Sequence, residues 1–114
     1  MYEPAGMGAA ERRDMHYLLM YETAPDYLQR RGEFRTAHLE YAWQSVERGE
    51  LALGGAVGEP VESALLLFRC DSEEVPAAFA RNDPYVINGV VMRWRVVPWH
   101  TVVGAEAANP IRSK

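Results

Sequence analysis

Asn82-Asp83-Pro84-Tyr85-Val86 decides how the chain is read, because it separates an acidic, alanine-rich segment from a strongly apolar C-terminal run. Pro84 disfavours the α region at Asp83, so a preceding helix should stop there and leave the carboxylate at a helix end. Tyr85 sets a ring with a polar tip beside it. A helix-stop turn accounts for Asp-Pro taken alone. A second segment, Arg35-Thr36-Ala37-His38-Leu39, makes it a candidate site, because the topology derived below brings both to one end of the molecule.

Downstream of the break, Gly89 leads into a strand over residues 90–99, in which Met92, Trp94 and Val96 alternate with Arg93 and Arg95. Upstream, Asp71 or Ser72 caps a helix whose electropositive first turn holds Glu73 and Glu74. Pro76 is early enough to be accepted there, and Val75, Ala78 and Phe79 supply its buried contacts. Before it, residues 51–57 and 63–70 read as two strands joined through Gly58-Glu59-Pro60. The paired Gly54 and Gly55 weaken the first of these as a strand and permit close approach of a backbone or ligand.

The first strand is His16-Tyr17-Leu18-Leu19-Met20-Tyr21. Ala24-Pro25-Asp26 then opens a helical region, with Gly32 expected to interrupt it before a main helix over residues 33–48. Leu39, Ala42, Trp43 and Val46 recur at helical spacing and form the expected core stripe. Phe34, His38, Tyr41 and Ser45 make the neighbouring stripe, placing His38 at the flank of the apolar face. Gly49 ends the helix.

The order is strand, helix, strand, strand, helix, strand, an α+β arrangement of the ferredoxin-like βαββαβ type. Right-handed crossovers put both helices on one face of a four-stranded antiparallel sheet. Tracing the directions brings Asp83, His38, Tyr21, Gly55 and Gly89 to one edge. Apolar residues point both ways from the central strands: Leu65 and Leu67 oppose Leu66 and Phe68. Helices cover only one of those faces, so a homodimer is expected on the other.

Composition bounds the rest. With 114 residues and 48% hydrophobic content, the chain suits one domain with a single core. A net charge of −4 argues against nucleic acid or an anionic membrane as partner. Cys70 is the only cysteine, which excludes an intrachain disulfide and a cysteine-rich zinc site. No stretch reaches membrane-span length and no signal peptide is visible, so a cytoplasmic setting is the expectation. Residues 1–14 read as a disordered extension, 15–104 as the domain and 105–114 as a polar tail.

Five segments together resemble the YCII-related proteins over Met15 to Gly104. They are Tyr17-Leu18-Leu19-Met20-Tyr21, Arg35-Thr36-Ala37-His38-Leu39, Gly49-Glu50-Leu51-Ala52-Leu53-Gly54-Gly55-Ala56, Asp83-Pro84-Tyr85 followed by Gly89, and Arg95-Val96-Val97-Pro98-Trp99. The resemblance implies a dimeric α/β-barrel assembly of ferredoxin-like units, related to muconolactone-isomerase-like folds. It also implies a His–Asp pair that maps onto His38 and Asp83. One related member is associated with dehydrochlorination of a chlorinated hydroxyquinol, which points to small aromatic or enolisable substrates. The family's commoner Gly-Pro after the second strand is Gly55-Ala56 here.

A histidine beside a carboxylate is the minimum equipment for general acid–base work, since the carboxylate fixes the imidazole tautomer. His38 and Asp83 are therefore the candidate catalytic residues, and neither is obviously required by the core. Arg35, one turn before His38, is suited to an anionic oxygen of a small-molecule ligand, and Tyr85 and Gly55 complete the candidate binding set. As a lone arginine, Arg35 is equally a solvated surface residue, and tyrosines such as Tyr85 and Tyr41 more often pack than react. His38 and Asp83 supply only two ligands, so no metal is expected, and no cofactor is implied. Two functions follow: a cofactor-independent lyase or isomerase, or a non-catalytic ligand-binding or dimerisation module. A cavity with the His38–Asp83 hydrogen bond at its base favours the first, and a filled, flat edge the second.

Overall fold

The computed structural model describes residues 15–112; the extension expected at residues 1–14 lies outside them. Seven elements follow one another: β1 (Met15–Thr23), α1 (Tyr27–Glu47), β2 (Leu51–Val57), β3 (Ser63–Cys70), α2 (Glu74–Asn82), α3 (Pro84–Ile87) and β4 (Val91–Trp99). The strands form one antiparallel sheet in the order β2-β3-β1-β4, with the helices on one face. This is the ferredoxin-like arrangement expected from the order of elements.

Side-chain alternation along β1 sorts the two faces. Tyr17, Leu19 and Tyr21 point to the helices and stand opposite Phe68, Leu66 and Ala64 of β3. With Phe79, Ala80, Tyr85, Val90 and Val91 they make the core. On the other face, Leu53, Leu67, Leu18 and Val97 share one row across all four strands. Beyond β4, the chain folds back: Thr101 Oγ1 meets His16 Nδ1 at 2.7 Å, and Glu106 accepts from Arg69 at 2.6 Å.

Two local expectations are corrected. Helix α1 runs unbroken from Tyr27 through Gly32, whose added Cβ would meet nothing; an exposed glycine inside a helix lowers its stability without stopping it. The core stripe of α1 is also displaced by about one residue, or roughly 100° of rotation. Ser45 is fully buried and Phe34, Tyr41, Ala42 and Val46 pack against the core, whereas Leu39 and Trp43 are 39% and 61% exposed. Periodicity finds the apolar arc of a helix; here that arc serves both the core and the wall of a cleft.

Gly49 has φ +81°, a backbone conformation that removes the Cβ penalty only for glycine, and ends α1 as expected. Asp83 is extended (φ −74°, ψ 126°) before Pro84, which stops α2. The chain then re-enters a helix for one turn, α3, in place of an irregular turn. Gly89, at φ +73°, releases it into β4.

Candidate active site

Asp83 is 0% exposed and takes three hydrogen bonds. Its own local turn supplies one, because the carboxylate caps α3 and Oδ1 accepts from the Tyr85 backbone N–H at 2.9 Å. The His38 Nδ1 lies 2.8 Å from the same oxygen. The Tyr21 hydroxyl donates to Oδ2 at 2.6 Å. A buried carboxylate is tolerated only when its lone pairs are met, and these donors come from β1, α1 and the α2–α3 junction.

This geometry settles the imidazole. An ionised carboxylate only accepts, so His38 Nδ1 carries the hydrogen, and Nε2 of the neutral ring keeps its lone pair. The Tyr85 ring stacks on His38 with centroids 3.9 Å apart and planes 7° from parallel, fixing the imidazole plane. Tyr27 meets Tyr85 edge-on at 6.0 Å. Burial pushes the Tyr21 phenol far above its ordinary pKa, and the charge of Asp83 and the hydrogen bond to it push the same way, so Tyr21 remains a donor.

His38 opens onto a cleft of about 580 Å³ between α1 and the edge strand β2. Arg35, Tyr85 and Gly55 line the same cleft, together with Tyr21, Tyr27, Arg31, Leu39, Trp43 and Val46. Asp83 stands behind the wall and reaches the cleft through its bonds to His38, Tyr21 and Tyr85. All five candidate residues are therefore brought together. An added Cβ at Gly55 would meet nothing, so the close approach expected there is not made by the protein itself.

The Tyr85 hydroxyl is buried and makes no hydrogen bond among the described residues. Burial raises its pKa and Tyr27 pushes the same way, while the neighbouring Arg35 guanidinium and then Arg31 act in the opposite direction. Tyr41, by contrast, is a packing residue: its hydroxyl donates to the Phe79 carbonyl at 2.8 Å.

Sequence reasoning missed four contributors. Tyr21 was placed at the right edge without a role, although as the last helix-facing aromatic of β1 it is within reach of the α2 terminus. Arg31 precedes Arg35 by four residues, a spacing that puts both on one side of α1. Leu39 and Trp43 were assigned to the core.

Among the described residues, no helix is long and apolar enough to cross a membrane. No curated protein matches the chain. Among solved structures, it is similar to 5-chloro-2-hydroxyhydroquinone dehydrochlorinase from Burkholderia phenoliruptrix AC1100, in complex with 2,5-dihydroxybenzoquinone. The TM-score is 0.64 at 22% identity, over 76% of this chain and 95% of that one. That likeness shows the fold. The YCII-related domain model matches residues 15–100, the whole span from the first strand to the end of the last, and the chain belongs to the YCII-related family.

Proposed function

We propose that the cleft is a general acid–base site acting on a small aromatic or enolisable compound, with His38 Nε2 as the base. The observation that carries this reading is the triply bonded Asp83, which holds His38 in one tautomer beside an open cleft. Nε2 takes a proton from a phenolic O–H or an acidic C–H. The released electron pair moves into the conjugated system, and either a leaving group departs with its bonding pair or the proton returns at another atom. Such an elimination or isomerisation is redox-balanced and needs no cofactor. The imidazolium formed is supported through Nδ1 by Asp83, which Tyr21 anchors.

The dehydrochlorinase that shares the fold acts, by its name, on a chlorinated hydroxyhydroquinone, and elimination of chloride from a halogenated hydroquinone is the first reaction to test here. The open cleft also favours this reading over a non-catalytic module, whose edge would be filled. Chloride release and quinone absorbance from a panel of halogenated hydroquinones should show turnover. His38→Ala should lower it by about 10²–10⁴-fold, the usual contribution of a positioned base. Turnover that is unchanged in His38→Ala, or absent in the wild type across the panel, overturns the reading.

The assembly we propose is a homodimer whose second copy covers the helix-free face of the sheet. Its support is the aliphatic row Leu53, Leu67, Leu18 and Val97, with Met20 and Leu65 beside it.

A further inference from the structure

We infer that the cleft has an anionic-ligand subsite formed by Arg31, Arg35 and the Tyr85 hydroxyl, so that what binds is a small planar anion bearing its charge on oxygen. This rests on the acid–base reading of the same cleft and fixes the charge of the compound that enters it. Three observations converge. Arg30, Arg48, Arg69, Arg81 and Arg93 each meet a carboxylate, whereas among the described residues Arg31 and Arg35, like Arg95 and Arg112 outside the cleft, meet none. Arg31 and Arg35 both line the cleft. Tyr85, stacked on His38 and 4% exposed, has a buried hydroxyl with no hydrogen-bond partner among the described residues.

A buried hydroxyl is normally satisfied, and an orphan beside two uncompensated guanidiniums is matched by an oxygen that accepts from all three. Arg31 is held in place over the Tyr27 ring, 5.5 Å from its centroid, so part of the charge is prearranged. Further along the same side of α1 the lining turns apolar, with Leu39, Trp43 and Val46. An anion with a flat hydrocarbon body fits that division: the charged oxygen at the arginines, the body along Trp43. A carboxylate and an ionised phenol share this chemistry.

The test is NMR titration of the Trp43 indole and Tyr85 amide signals with benzoate, with its neutral isostere benzamide, and with 4-nitrophenolate. Benzoate should bind more tightly than benzamide by about tenfold or more, as a charge-assisted hydrogen-bond set requires. Arg35→Gln should abolish that preference, and Tyr85→Phe, which removes only an unpaired hydroxyl and keeps the ring, should reduce it. Binding of 4-nitrophenolate as well as benzoate marks a site for any oxyanion; binding of benzoate alone marks a carboxylate site. Equal affinity for benzoate and benzamide, no binding of either, or a preference that survives Arg35→Gln overturns the inference. His38→Ala should keep the anion preference, so loss of turnover and loss of anion binding report on separate claims.

Discussion

The Tyr21 hydroxyl donates to Asp83 Oδ2 at 2.6 Å, joining the last helix-facing residue of β1 to a carboxylate sixty-two positions further along the chain. That bond occupies the oxygen that His38 does not use. Tyr21→Phe therefore leaves Oδ2 buried without a donor, and it should cost about 1–3 kcal/mol, the penalty for an unmet buried polar group. Chemical denaturation of the two proteins measures it. A change within error of zero would mean that Oδ2 finds another donor.

Asp83 was not expected to matter for folding, but its full burial and its capping of α3 revise that view. Asp83→Ala removes a cap and strands three donors, and we expect a loss of about 3 kcal/mol or more. Asp83→Asn keeps the shape and one acceptor, and its effect should be read on the imidazole. Ring nitrogen NMR of neutral His38 should show hydrogen on Nδ1 in the wild type and a mixture of tautomers in Asp83→Asn. Identical spectra would remove the carboxylate from the positioning of His38.

The order of elements, the β2–β3 hairpin and the break at Asp83-Pro84 were legible because each rests on local chemistry: alternation, a proline, a positive-φ glycine. The convergence of His38 with Asp83 was legible because topology alone brings their ends together. Leu39 and Trp43 were misplaced because an apolar side chain beside a cleft and one in a core carry the same sequence signal. Tyr21 gained its role from a contact between distant elements, which no periodicity encodes. The α3 turn was hidden because Pro84 both stops one helix and is well suited to begin another.

Trp43 supplies a direct check on that displaced stripe. At 61% exposure it should tolerate substitution, and Trp43→Ser should change stability by no more than about 0.5 kcal/mol. Phe79, buried against Phe68 and Tyr41, should behave differently, with Phe79→Ala costing about 3–5 kcal/mol. Thermal melts of both variants decide the matter. A large loss in Trp43→Ser would return Trp43 to the core.

Cys70 ties stability to alkaline pH. Burial pushes its thiol from an ordinary 9.0 up to about 11, so the folded chain keeps a proton that the unfolded chain loses above pH 9.0. Because the native state binds more protons there, stability should fall as pH rises through that interval. Cys70→Ala should reduce the fall between pH 9.0 and about 11, leaving the contributions of Tyr17, Tyr21, Tyr41 and Tyr85, whose phenols burial also raises from an ordinary 10.0. Parallel slopes for the two proteins would show that Cys70 does not contribute.

Leu65 tests the proposed assembly without touching the cleft. It lies on the helix-free face beside Met20, next to the row of Leu53, Leu67, Leu18 and Val97. An aliphatic surface of this extent is stable in water when another surface covers it, and a two-fold partner of the same chain offers a matching one. Arg95 stands opposite Met20 on this face and meets no carboxylate among the described residues, while the flanking Arg93 is bonded to Glu22 at 2.9 and 3.0 Å. Sedimentation at micromolar concentration should therefore report a dimer. Leu65→Lys places a charge within the covered face and should shift the protein to monomer, with the Tyr21–Asp83–His38 geometry retained. A wild-type monomer, or a dimer untouched by Leu65→Lys, would mean that the second copy does not cover this face.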